Sequence, residues 1–384
     1  MTVITVVIAC AVIAGGATGL TAIVGRTSRR ATVHSPAATC VAPEAPPAAV
    51  ASDHLGAWAF SVLDAGTFGS VVSGRSGLYT LQACGTQETE LRVLHVADSG
   101  KVLGVSKPFD RAALLTSSLA IDDGELYVGA ARLDLSGPTN LAPYSLTLYR
   151  LDLGSLAIVG SRAVGRGYGL SLFAGPVTAG SPPPLLACTG SALLSVSPGS
   201  LQTSTLTSFG GSIAQHLSVE PGLPYVAISL FAPAAVPPAA TASIELFDLA
   251  SRRVVSSVEL KSGSDVDSLA LGSSGLWASI ADGLSTGVRR FSVPTLGAGS
   301  TTGVPEALQT IDLGEAAGVV WIWGPTVLGC ADAATGRLLA STTPTGSSSS
   351  SVSAIVWTGT AEVAVTQAGI GPVAVPTACR LAHA

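Results

Sequence analysis

Charge is scarce in this chain of 384 residues. Lys, Arg, Asp and Glu make up 11% of it, against about 25% in an ordinary soluble domain. There are three lysines (Lys101, Lys107 and Lys261), and the net charge is −5. Binding to nucleic acid through phosphates needs dense Lys and Arg, so no nucleic-acid partner is expected. The five histidines (His34, His54, His95, His216 and His383) are all more than five residues apart, which excludes HExxH and HxH metal motifs. No CxxC occurs, which excludes zinc ribbons and thioredoxin-like sites. There is no GxxxxGK[ST] phosphate loop and no GxSxG elbow. No cofactor and no metal site is expected. The single asparagine, Asn140, is not in a glycosylation sequon.

What is present begins with apolar mass. The hydrophobic fraction is 47%, enough for a large core and against global disorder. Met1 to Gly25 contains no charged residue, and Arg26, Arg29 and Arg30 follow it. About 20 apolar residues suffice to cross a bilayer as a helix. The segment therefore reads as a signal peptide or signal anchor. Its basic cluster lies after the apolar run, which by the positive-inside rule favours a cytoplasmic C-terminal side. The rest of the chain suits an extracytoplasmic address, so two topologies are open. Val7-Ile8-Ala9-Cys10 resembles a bacterial lipobox. Residues 26–52 form a basic and then Pro/Ala-rich linker, with Pro36, Pro43, Pro46 and Pro47 favouring extended conformations.

From 53 to 384 one pattern recurs. A short β-rich run ends in a polar or Pro-containing turn, and a second run comes after it. Examples are Tyr149-Arg150-Leu151-Asp152-Leu153-Gly154-Ser155-Leu156 and Leu246-Phe247-Asp248-Leu249-Ala250-Ser251. Equivalent turn positions at 98, 152, 197, 248, 292, 332 and 374 are separated by 54, 45, 51, 44, 40 and 42 residues. Four-stranded propeller blades repeat at about 40–50 residues. Upstream runs such as Tyr225-Val226-Ala227-Ile228-Ser229 and Val319-Val320-Trp321-Ile322-Trp323 read as strands buried on both faces. A single small sheet cannot hide two apolar faces, whereas blades stacked in a ring can. The spacing predicts an all-β, seven-bladed β-propeller of four-stranded antiparallel blades, preceded by an N-terminal hydrophobic helix over 1–25. A pair of β-sandwiches or a solenoid is the competing arrangement. Residues near Trp58 to Leu63 are expected to add a strand to the last blade.

Asp332-Ala333-Ala334-Thr335-Gly336-Arg337-Leu338-Leu339 resembles the D-x-x-T-G-K/R turn of YVTN-type and quinoprotein-like (WD40-like) propellers, and Asp98-Ser99-Gly100-Lys101-Val102 is a shortened version. The resemblance implies the fold. Quinoprotein alcohol dehydrogenases continue the motif to a docking tryptophan, where this chain has Ala340, so it does not imply a quinone cofactor.

Candidate chemistry is sparse. Asp265 and Asp267 precede an expected innermost strand, Leu269-Ala270-Leu271, and could face a central funnel; His216 is the best isolated histidine for the same place. Asp122-Asp123-Gly124 reads as a turn, Glu88 with Glu90 as a solvated face, and His95 as a cross-strand residue. In an oxidising compartment Cys40 would pair with Cys379 or Cys84, clasping linker to domain, while Cys188 and Cys330 read as small buried apolar groups. No charged residue occurs between Arg166 and Glu220 or between Arg337 and Glu362. Such hydroxyl-rich, neutral surface suits an exported protein or a self-associating face.

These features lead to an exported or membrane-anchored propeller that binds a protein, peptide or glycan, attached to the membrane through its N-terminal segment if uncleaved. The alternative is a lactonase- or glycosidase-like hydrolase with its site in the funnel. A third reading is a cytoplasmic domain on an anchor whose N-terminus lies outside.

Overall fold

The computed structural model describes residues 67–372 and Cys379, apart from loops of which the longer are 85–89, 98–101, 135–142, 176–184, 234–240, 302–311, 324–327, 343–351 and 358–361. Its regular elements are all β-strands. Blade 1 contains β1 (Thr67–Gly74), β2 (Gly77–Cys84), β3 (Glu90–Val96), β4 (Val102–Val105) and β5 (Phe109–Asp110). Strands β4 and β5 pair with different parts of β3 and share the outer position. Blade 2 contains β6 (Ser118–Asp122), β7 (Glu125–Leu133), β8 (Tyr144–Asp152) and β9 (Ile158–Gly167). Blade 3 contains β10 (Ser171–Ala174), β11 (Leu185–Cys188), β12 (Ala192–Ser197) and β13 (Gln202–Ser208). Blade 4 contains β14 (Ile213–Val219), β15 (Tyr225–Ala232), β16 (Thr241–Asp248) and β17 (Arg253–Glu259). Blade 5 contains β18 (Ser264–Gly272), β19 (Gly275–Asp282), β20 (Ser285–Phe291) and β21 (Ala298–Thr301). Blade 6 contains β22 (Asp312–Ala316), β23 (Val319–Trp323), β24 (Leu328–Asp332) and β25 (Leu338–Thr342). A last sheet has three strands, β26 (Val352–Trp357), β27 (Glu362–Thr366) and β28 (Gly369–Pro372).

The first strand of each sheet touches the first strand of a neighbour: β1 meets β6, β6 meets β10, β14 meets β18, and β18 meets β22. Strand β26 contacts both β22 and β1 and so closes the ring. First strands therefore surround a central axis, and fourth strands form the rim. Second strands carry the burial. Every residue of β11 and of β23 is buried, whereas most of β9 on the rim is exposed. Apolar clusters lie between consecutive blades. Leu81 and Val93 of blade 1 pack with Leu126 and Leu151 of blade 2. Comparable clusters join blades 2 and 3, 3 and 4, 4 and 5, and 5 and 6. Each fully buried leucine contributes roughly 2 kcal/mol. The shortage of charge thus has a structural cause, since the middle strands have an apolar neighbour on both faces.

The turns at 152, 197, 248, 292 and 332 join third to fourth strands, as the repeat predicts. Their first residue anchors them. Asp152 Oδ1 accepts from the Ser155 N–H and hydroxyl, both at 2.7 Å, and Asp332 Oδ1 accepts from Thr335 N–H (2.7 Å) and Oγ1 (2.6 Å). These bonds hold both carboxyls below the usual aspartate range. The fifth turn residue adopts positive φ: 77° at Gly336, but 55° at Leu156 and Leu201 and 49° at Leu296. A left-handed leucine costs about 1–2 kcal/mol. All three leucines are buried, and burying leucine returns about 1.5–3 kcal/mol, so packing outweighs the backbone cost. A Cβ on Gly104 of blade 1 would lie 3.5 Å from Leu156 Cδ1, which places that leucine against the preceding blade.

Three expectations need correction or placement. Among the described residues the blades of four strand positions number six, not seven, and the last sheet has three strands. The turn signal at 374 lies outside the described residues, as does the turn at 98. The expected hydrophobic helix over 1–25, the linker, Cys40 and the segment Trp58 to Leu63 also lie outside them. No helix among the described residues is long and apolar enough to cross a membrane. Finally, Cys379 bonds to Cys330, with a Cα–Cα distance of 6.2 Å, and not to Cys40 or Cys84. Sequence order hid this pairing, since Cys330 lies on β24 and only ring stacking brings the tail beside it.

Candidate ligand site in the central channel

First strands supply the wall of the channel, so the candidate site must be built from them. His216 lies on β14 and Asp265 and Asp267 on β18, the first strands of adjoining blades. The strands are joined by the Leu271 N–H, which donates to Ser218 Oγ at 2.8 Å. All three predicted side chains are partly exposed. The structure thus places the three predicted residues on adjoining first strands.

Both strands bulge here. On β14, Ala214 pairs with Leu230 and His216 with Ser229, so Gln215 is the inserted residue. On β18, Val266 pairs with Ile280 and Ser268 with Ser279, so Asp267 is inserted. A bulge re-aims side chains and interrupts alternation. Gln215 is accordingly exposed. The bulge on β14 is pinned by Ser229 Oγ, which accepts from the His216 N–H at 2.9 Å.

Asp265 Oδ1 accepts from the Val266 N–H at 2.8 Å, and Asp267 Oδ2 accepts from Thr286 Oγ1 at 3.3 Å. Desolvation holds the His216 imidazole below its ordinary value of 6.5, and the neighbouring Asp265 carboxylate acts in the opposite direction. His216 is therefore neutral at pH 7 and can both donate and accept one hydrogen bond. Burial raises the carboxyl of Glu220, one residue beyond β14.

The seven first strands contain no lysine or arginine, and β18 carries the carboxylates Asp265 and Asp267. Asp122 is buried at the end of β6, where desolvation and then Asp123 raise its carboxyl. Sequence reasoning missed Gln215. A bulge has no sequence signature here. No group of three or more His, Cys, Asp or Glu among the described residues is arranged to hold a metal.

Elsewhere, His95 takes the expected cross-strand role. Its ring stacks on Tyr79 at 4.4 Å, and Nε2 lies 3.2 Å from both the hydroxyl and the carbonyl oxygen of Ser76. Cys188 is buried, which pushes its thiol up to about 12 and leaves it unreactive at neutral pH.

No family model matches the chain, and no curated protein matches it in sequence. Solved structures do. A hydrazine synthase chain of Kuenenia stuttgartiensis superposes with a TM-score of 0.59 at 11% identity, covering 82% of this chain and 97% of that one. The Cps50 (Swd1) β-propeller domain of Myceliophteria thermophila gives a TM-score of 0.58 at 11% identity, covering 82% and 99%. Identity this low speaks for fold alone. The fold they share with this chain is the β-propeller, and the comparisons do not place it in the YVTN family.

Proposed function

We propose that the protein is an exported, membrane-anchored binding module that takes a basic side chain of a protein or peptide into its central channel. The observation that carries this is the placement of His216, Asp265 and Asp267 on the adjoining first strands β14 and β18, with no lysine or arginine on any first strand among the described residues. A narrow cleft of one charge sign with low-dielectric walls concentrates the opposite charge. An ammonium or guanidinium group would bond to Asp265 while neutral His216 adds no repulsion. The disulfide between Cys330 and Cys379 supports an oxidising compartment. The uncharged run from Met1 to Gly25 supports anchoring.

The test is calorimetric titration of the full chain with hexalysine and, separately, with maltohexaose. Hexalysine should bind, more weakly at high salt, and Asp265→Asn with Asp267→Asn should lower its affinity about tenfold or more. Absence of hexalysine binding, or unchanged affinity in the variant, would contradict the proposal; maltohexaose binding alone would replace the peptide with a glycan.

One observation favours a second reading. A histidine beside a carboxylate on the channel wall is the minimum equipment for acid–base hydrolysis. Turnover of a chromogenic lactone or glycoside that is lost in His216→Ala would establish it.

A further inference from the structure

We infer that Arg92 forms a second ligand site, which takes a small carboxylate. Arg92 lies on β3, a third strand, and so stands apart from the channel wall. Leu91 and Val93 pack between blades 1 and 2, so alternation turns Arg92 to the opposite face of blade 1. The residue is 5% exposed. Its Nε–H donates at 2.8 Å to Oε1 of Gln82, directly opposite on β2. Gln82 is buried as well and carries no charge. Among the described residues the guanidinium makes no other hydrogen bond and no ion pair, and Glu90, two residues along the same face, does not pair with it. The N–H groups of both terminal nitrogens are therefore left without a protein acceptor. Burial lowers the guanidinium below its ordinary value, yet arginine stays protonated in proteins. A charge buried without a counter-charge destabilises a fold.

The ring itself does not require this charge. Gln82 is the sixth residue of its second strand. The sixth residues of β7, β15 and β19 are Ala130, Leu230 and Ile280, and Thr147, Ser243 and Gly287 stand opposite them. Those neutral pairs stack blades in the same ring, so the Gln82–Arg92 pair serves something beyond stacking. The missing charge specifies the ligand. With Nε–H engaged by Gln82, the two terminal nitrogens present parallel donors that match the two oxygens of a carboxylate. One unpaired cation balances one negative charge, which suits a carboxylate rather than a phosphate group carrying nearly two. The depth of the guanidinium means that the ligand reaches it with a slender end.

The experiment is thermal melting of the full chain at neutral pH in sodium acetate, sodium phosphate or sodium chloride of equal ionic strength, for the parent, Arg92→Met and Arg92→Lys. Acetate should raise the melting temperature of the parent above that in chloride, saturably and by about 2 °C or more. Neither variant should show that rise, since methionine lacks the charge and lysine lacks the paired donors. No acetate effect in the parent, or an equal effect in all three proteins, would overturn the inference. A response to phosphate alone would overturn the carboxylate as ligand. If Arg92→Met does not fold, the Nε–H proton resonance of Arg92 in the parent, assigned with Arg92→Lys, decides the matter. Acetate should shift it saturably and chloride should not; a resonance that acetate leaves unmoved would overturn the site.

Discussion

Two sides of the ring solve the same structural problem and then diverge. Between blades 2 and 3, Ser118 Oγ donates to the Leu170 carbonyl at 2.7 Å and accepts from the Leu172 N–H at 2.6 Å. Between blades 4 and 5, Ser218 Oγ accepts from the Leu271 N–H at 2.8 Å. A serine on the first strand thus ties each pair of blades. Yet β6 and β10 pair with their second strands in unbroken register, while β14 and β18 bulge at Gln215 and Asp267. Strands β1 and β26 also shift register, without any ionisable residue. Stacking blades therefore needs the serine but not the bulge. Where bulge and ionisable side chain coincide, ligand binding is the reason we propose.

The largest effect should come from outside both seams. The Cys330–Cys379 bond has a sequence separation of 49, and Cys379→Ser should lower unfolding free energy in urea by about 4 kcal/mol on the chain-entropy estimate. Hexalysine affinity at temperatures where the variant stays folded should not change. If it does, the channel is not local to blades 4 and 5. Next come the serines. Ser118→Ala leaves two backbone groups without a partner and should cost about 2 kcal/mol, while Ser218→Ala leaves one and should cost about 1 kcal/mol. Equal or reversed costs would break the parallel between the seams.

Replacing the site itself should barely affect stability. Asp265→Asn with His216→Gln should stay within about 1 kcal/mol of the parent in urea, since both side chains are partly exposed. A loss comparable to that of Cys379→Ser would mean that these residues hold the fold together. The smallest effect is the most diagnostic in sign. His216 titrates below 6.5 in the folded protein, so the unfolded chain binds more protons as pH falls below 6.5, and stability drops. Asp122 on the other side titrates above 3.8. There the folded chain holds the extra proton, and stability falls as pH rises from 3.8 towards the raised value. His216→Gln should flatten the first slope and Asp122→Asn the second, measured by melting at graded pH.

Much of the architecture was legible because its signals are local. Asp152, Asp248 and Asp332 advertise their turns through side-chain bonds that any short peptide could form. The buried runs on β15 and β23 show themselves by apolar residues on both faces. The number of complete blades was less legible, since a turn reports a third strand and the fourth depends on the residues after that turn. Leucine at the left-handed turn position was also hidden. Its backbone looks unfavourable until the preceding blade covers the side chain. At the site, Asp265, Asp267 and His216 could be named from the chain, but only ring stacking places β14 beside β18. The partner of Cys379 was lost for the same reason, because pairing across a seam leaves no mark in sequence spacing.

The central claim is that a cation enters the channel beside His216 and Asp265. The most direct measurement is the proton NMR titration of the His216 ring in the full chain, assigned with His216→Gln, without and with saturating hexalysine. A bound ammonium beside the imidazole should disfavour its protonated form, so the His216 midpoint should move further below 6.5 when hexalysine is present. An identical titration curve with and without hexalysine, under conditions where calorimetry shows binding, would place the ligand elsewhere and contradict the claim.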